Sequence, residues 1–159
     1  MSLSDTTHTT ADCRRVTLRR ASAHDHEAVA ALLRRAELPL AGVAACLDSF
    51  WVAEDATSVI GTAGMEHYGD SGLLRSVAVA PEWRSSGIGT TLVERVLEDG
   101  RAAGVRDVYL LTTTAEHYFP RLGFTCVGRD TVPGALQESP EFTGACPASA
   151  VVMRKAVRT

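Results

Sequence analysis

No apolar run in this 159-residue chain approaches the ~20 residues that a membrane-spanning helix needs, so no membrane partner is expected. Cysteine is sparse and scattered. Cys13, Cys46, Cys126 and Cys146 include no CxxC pair, so neither a zinc site nor a disulfide framework is legible, and no metal is expected. Charge of one sign is lacking as well: 16 Lys and Arg against 19 Asp and Glu leave a net charge of −3, which gives no reason to expect a nucleic-acid groove. The opening stretch, Met1 to Asp12, has no apolar core of the kind a signal peptide carries, and a cytoplasmic protein with reduced thiols is expected. Rich in Ser, Thr and Asp, that stretch reads as a loose tail over 1–14. What remains, 15–159, has the size of one ordinary domain and is 45% hydrophobic over the whole chain, enough for a continuous core. A small soluble partner fits this composition.

Along the chain, Val16 to Arg19 reads as a strand, and Ser22 with Asp25 three residues later is a capping-box-like helix start. Val29, Leu32, Leu33 and Ala36 then recur at helical spacing, so a helix should run to about Arg35. Val43 to Leu47 suits a second short helix. Phe50 to Glu54 and Ser58 to Tyr68 read as strands, and Gly69-Asp70-Ser71-Gly72 is a turn into a further strand, Leu73 to Val79. A turn centred on Asp70 and Ser71 sets Glu66 opposite Arg75 on one face. Ile88, Leu92, Val93, Val96 and Leu97 form a helical stripe that stops near Gly100 or Gly104. There follow a strand at Val108 to Leu111, a helical stretch around Ala115 to Leu122, and a strand from Phe124 to Gly128. A Pro- and Gly-bearing insert from Pro133 to Pro147 and a last strand at Ala150 to Arg154 complete the chain. This order predicts an α/β layer structure on a mixed sheet.

The richest segment is Val77-Ala78-Val79-Ala80-Pro81-Glu82-Trp83-Arg84-Ser85-Ser86-Gly87-Ile88-Gly89, where a strand passes into a helix through a glycine-bearing turn. Backbone N–H groups at a helix start favour a phosphate, and Gly87 and Gly89 allow close approach, while Arg84 adds positive charge. The turn is too short for a P-loop, and it is not a GxGxxG fingerprint. By its chemistry it binds pyrophosphate. The bland alternative is that the glycines only make a tight turn.

The run Arg84-x-x-Gly87-x-Gly89 after a Val-x-Val strand and Pro81, with Arg121-Leu122-Gly123-Phe124 downstream, resembles the GNAT acetyltransferase family over Val16 to Val157. The resemblance implies a GNAT fold, a mixed sheet of about six to seven strands splayed at an acetyl-CoA site and flanked by helices. It implies that Val77, Ala78 and Val79 meet the pantetheine arm, that Ser85, Ser86, Gly87, Ile88, Gly89 and Thr90 hold the pyrophosphate with Arg84, and that the Val77 N–H polarises the thioester carbonyl. One residue among Thr112, Thr113 and Thr114 is expected at the coenzyme, with Thr112 the choice. Gly72-Leu73-Leu74-Arg75-Ser76, Tyr109 to Ala115, Val132-Pro133, Glu141-Phe142 and Cys146 to Ala150 are similar to the arsenic-resistance-linked GNAT subfamily. A more distant likeness is to the amino-acid acetyltransferases that make N-acetylglutamate. The implied acceptor is the amine of a small amino acid or an arsenic-bearing analogue, with Arg75 and Ser76 among its contacts.

Where many members carry a Tyr acid, this chain has Phe119, and where some carry a Glu base it has Leu73. Tyr118 could serve as acid, line the coenzyme channel or pack. Glu66 is the remaining base, acting directly or through water, unless it merely pairs with Arg75 across the hairpin. Arg75 could equally bind a substrate carboxylate or arsinate with its planar fork. Two other functions stay open: a non-catalytic acyl-CoA-binding or thiol-based arsenic-sensing module, and a protein-lysine acetyltransferase. A homodimer also stays open.

Overall fold

The structure is a computed structural model that describes residues 6–9, 15–146 and 149–157. The described chain divides into two compact units, residues 1–64 with 76–96, and residues 65–75 with 97–159.

The first unit holds β1 (Thr6–Thr9), β2 (Arg15–Arg20), β3 (Trp51–Glu54), most of β4 (Val59–Tyr68) and the end of β5 (Ser71–Val79). Their pairings from β1 through β4 are all antiparallel. β1 corrects the expectation of a loose tail at 6–9, because a Thr-rich segment suits a strand and an edge strand needs only one neighbour's backbone. The rest of 1–14 lies outside the described residues. Helix α1 (His26–Arg35) follows a 3-10 turn that starts after Ser22, as the Ser22/Asp25 signal predicts. Its buried Val29 and Leu33 pack with Val43, Leu47, Phe50, Val52 and Ala78, and α2 (Val43–Cys46) contributes Val43. Gly64 lies in β4 because Phe50 leaves no alternative: a Cβ there would sit 2.1 Å from the ring. Trp51, itself buried, is flanked by the guanidinium carbons of Arg20 and Arg95 at 5.2 and 5.3 Å from its ring.

In the second unit β5 pairs in parallel with β6 (Asp107–Thr112), β6 pairs antiparallel with β8 (Val151–Ala156), and β8 pairs antiparallel with β7 (Thr125–Cys126). The sheet is therefore mixed, as expected, and mostly antiparallel. Leu73, Tyr109, Val132, Leu136 and Val152 form its core cluster, with Leu136 supplied by α4 (Gly134–Gln137). Helix α3 (Ile88–Ala102) ends as its glycines require: Val105 N–H reaches Gly100 O at 2.8 Å and Gly104 N–H reaches Arg101 O at 3.1 Å, with Gly104 at φ 99°. The helix expected over 115–122 shrinks to a 3-10 turn, Phe119–Leu122, because Pro120 lacks an N–H and Gly123 turns left-handed at φ 96°. The strand expected over 124–128 is only two residues long. A 3-10 turn at Arg129–Thr131 takes the chain away from the sheet.

Candidate active site

In the first unit, the end of β5 leads through Pro81–Trp83, a 3-10 turn, into α3. Ala78 and Ala80 are buried while Val77 and Val79 are half-exposed, so the alternation of an extended strand leaves the two valines on the open side. Ser85 at φ 66° and Gly87 at φ 85° are both left-handed, and such residues beside right-handed ones make the concave arrays of N–H groups that hold anions. A Cβ at Gly87 would meet nothing within 4 Å, so packing does not demand glycine there; the positive φ does. A helix starting at Ile88 points the N–H groups of its first turn toward this bend, and Thr91 N–H is taken by Gly87 O at 3.1 Å. Around them the turn is pinned by Ser86 Oγ donating to Trp83 O at 2.5 Å and by Thr91 Oγ1 donating to Gly87 O at 3.0 Å. The Arg84 side chain is exposed, and its Nε donates to Val79 O at 3.2 Å. Gly89 and Thr90, the remaining members of the expected phosphate set, are half-buried in the first turn of α3.

The second unit holds a different assembly. Glu66 near the end of β4 and Arg75 in β5 are ion-paired, Nη1 to Oε2 at 2.5 Å, so the pair expected across the hairpin forms. Tyr68 donates its hydroxyl to the other Glu66 oxygen. A second carboxylate, Glu141, approaches Arg75 Nε to 3.4 Å. The Arg75 side chain is fully enclosed, and Glu66 and Glu141 are buried too. That enclosure favours the pairing reading of Arg75 over a substrate carboxylate held by its fork. Burial pushes the Glu141 carboxyl up to about 7 against the pull of Arg75, with Glu66 adding to the rise. The Cys146 thiol beside it is raised to about 11 by burial and then by the charge of Glu141, which makes it a poor thiolate.

Glu141 is the residue the sequence reading missed as a member of this cluster. It enters on a five-residue π-turn, Glu141–Ala145, and in the sequence Glu141-Phe142 figures only in the subfamily resemblance, with no role at the site. Ser76, expected to contact the acceptor, is buried and sits at φ 60°, a left-handed residue inside a strand. Such a residue kinks a strand and interrupts its ladder. Thr112 is buried with its Oγ1 accepting the Ala115 N–H at 2.9 Å, so it caps the turn after β6. Tyr118 stands edge-on to Phe119 at 5.1 Å, and Phe119 meets Phe124 in the same way at 5.8 Å. Among the described residues, no group of three His, Cys, Asp or Glu side chains is placed to hold a metal ion, and no helix is long and apolar enough to cross a membrane.

The family model for an "Acetyltransferase (GNAT) domain" matches residues 47–126. The amino-acid acetyltransferase of Enterobacter sp. (strain 638) is 33% identical over 94 residues, 58% of this chain and 21% of the relative; the enzyme of Yersinia pseudotuberculosis serotype IB gives the same figures. The chain thus spans about a fifth of the length of these relatives. Among solved structures, Rv2747 from Mycobacterium tuberculosis, in complex with CoA, is 25% identical with a TM-score of 0.74, covering 87% of this chain and 98% of that one. N-acetylglutamate synthase from Neisseria gonorrhoeae, complexed with coenzyme A and N-acetyl-glutamate, shares the fold at a TM-score of 0.78 and 20% identity, over 91% of this chain and 35% of its own. With the strand-to-helix turn of residues 77–89 lying inside the matched segment, the chain belongs to the GNAT acetyltransferase domain family.

Proposed function

We propose that this protein moves an acetyl group from acetyl-CoA to the amine of a small amino-acid-like acceptor. The observation that carries the reading is the turn 84–90, where left-handed Ser85 and Gly87 precede a fifteen-residue helix, inside a segment that matches an acetyltransferase family. Backbone amides of Ser85 to Thr90 hold the coenzyme pyrophosphate, with Arg84 adding charge, and Val77, Ala78 and Val79 flank the pantetheine arm. Thr112 serves the same coenzyme. The likeness to amino-acid acetyltransferases supports an α-amine as acceptor, and an organoarsenical amino-acid analogue is the finer reading of that class.

In this reading the acceptor ammonium loses a proton to Glu66, directly or through water. Each oxygen of a carboxylate has two lone pairs, so the contacts from Tyr68 and Arg75 do not exhaust Glu66 as an acceptor. The free amine attacks the thioester carbonyl, the C–N bond forms, and the Val77 N–H stabilises the charge on oxygen. The C–S bond then breaks, the new amide nitrogen loses its second proton to water, and the coenzyme thiolate takes one up from Tyr118 or water. Ser76 sits between Arg75 and Val77 in sequence and belongs to the acceptor's contacts.

Release of CoASH tests the reading. Purified protein with acetyl-CoA and a panel of amino acids, arsenic-bearing amino-acid analogues and a lysine peptide should release thiol with members of the first two groups. Thiol release confined to the peptide would move the chain to the protein-lysine class. Release by none, with coenzyme still bound, would leave the non-catalytic module standing.

A further inference from the structure

We infer that Lys155 is a positioning residue for Tyr118: its ammonium fastens the end of the turn that follows Tyr118 to strand β8, and so keeps the phenol in place to give its proton to the departing coenzyme thiolate. The inference deepens the acetyl-transfer reading above and rests on its use of Tyr118 as that donor, which recovers its proton from water. Lys155 is the only lysine in the chain. Its Nζ donates to Leu122 O at 2.7 Å, joining residues 33 positions apart. A helical turn leaves its last carbonyls without N–H partners of its own, and a cation placed there meets both their lone pairs and the negative end of the aligned peptides. The lysine stem lies directly against the backbone that it fastens. A Cβ at Gly123 would stand 3.2 Å from Lys155 Cε and 3.3 Å from Nζ, so Lys155 and the φ of 96° both require glycine there.

One end of this tie is firmly held and the other is not. Lys155 sits opposite Val108 in the ladder between β6 and β8, where six residues of each strand are paired. The turn that it reaches has less support, because β7 gives it only Thr125 and Cys126 against β8, both exposed, and Pro120 brings no N–H. Within the turn a displacement at Leu122 is passed back to Tyr118 through short bonds. Arg121 N–H donates to Tyr118 O at 3.1 Å, Tyr118 N–H to Ala115 O at 3.0 Å, and Phe124 N–H to Phe119 O at 3.2 Å. The rings are coupled in the same order, Tyr118 edge-on to Phe119 and Phe119 edge-on to Phe124.

The experiment compares wild type, Lys155→Met and Lys155→Arg in the full chain, each with Tyr118 intact and with Tyr118→Phe. Methionine keeps a long apolar stem without the donors, and arginine keeps a cation with donors at its tip. CoASH release gives kcat and KM, and proton NMR follows the Tyr118 ring. Lys155→Met should lower kcat roughly tenfold with KM for the acceptor unchanged, and Lys155→Arg should restore most of it. In the Tyr118→Phe background the Met substitution should cost nothing further, because both changes remove the same proton donation. The Tyr118 ring signals should shift in Lys155→Met and return in Lys155→Arg. Unshifted ring signals, wild-type kcat in either Lys155→Met or Tyr118→Phe, or losses that multiply in the double variant each overturn the inference. Shifted ring signals in a protein whose wild type acetylates no amine would retire the acetyl-transfer reading instead, leaving the fastening of the turn intact.

Discussion

Each unit contains an arginine set between two carboxylates, and one carboxylate in each, Asp25 in the first and Glu141 in the second, is moved from its ordinary value, the two in opposite directions. In the first, Arg19 holds Asp25 through two bonds of 2.8 and 2.9 Å and Glu54 through two of 2.9 and 3.2 Å. Its side chain is 25% exposed. The Arg19 hydrogen bonds, outweighing burial and helped by the Ser22 N–H, draw Asp25 down to about 2, and Arg19 itself is raised by the same bonds. In the second, Arg75 is fully enclosed and reaches Glu141 only at 3.4 Å, and burial wins: Glu141 rises to about 7. Each set is one guanidinium and two carboxylates. Short charge-assisted bonds decide the sign at one site, and desolvation with a like charge nearby decides it at the other.

The largest expected effect is Arg75→Met, which strands two buried carboxylates and should cost about 3–5 kcal/mol in urea unfolding, against about 2 kcal/mol for Arg19→Met at the more open site. Equal losses would break the contrast. Next comes Glu141→Gln. The folded value of about 7 lies above the ordinary 4.5, so wild-type stability is full below 4.5 and declines as pH climbs to about 7. On the alkaline side the Gln variant should therefore be more stable than wild type by up to about 3 kcal/mol, and thermal melts should show that advantage vanish in acid. Asp25→Asn runs the other way. Folded Asp25 at about 2 lies below the ordinary 3.8, so its contribution is present above 3.8 and lost as pH falls through about 2. The Asn variant should lose about 2 kcal/mol at neutral pH and show no further loss from this site in an acid titration. Smallest is Glu54→Gln, whose side chain is 35% exposed and should cost under about 1 kcal/mol by the same melts.

The parts legible in the sequence are those that local signals determine. The passage from β5 through Pro81 to α3 carries alternation, a proline and two glycines within thirteen residues, and the structure keeps it nearly residue for residue. Glu66 and Arg75 could be matched because only a short turn, Gly69 and Asp70, separates their strands. Glu141 could not. It lies 66 positions from Arg75 in a segment with no helical or strand period, and its five-residue π-turn contains Gly144 at φ 147°. Tertiary contacts alone bring its carboxylate to the guanidinium. The helical stretch expected over 115–122 is curtailed to Phe119–Leu122 for a nearer reason, since Pro120 removes an N–H and Gly123 turns left-handed.

The two units also differ in what light they absorb. Trp51, lying between Arg20 and Arg95, and Trp83, in the turn before α3, both belong to the first unit, whereas Tyr68, Tyr109 and Tyr118 all belong to the second. Tryptophan emission therefore reports on the unit that carries the strand-to-helix turn, and tyrosine absorbance reports on the one that carries the buried carboxylates. A denaturation curve followed at both signals reads each half of this chain without any added label.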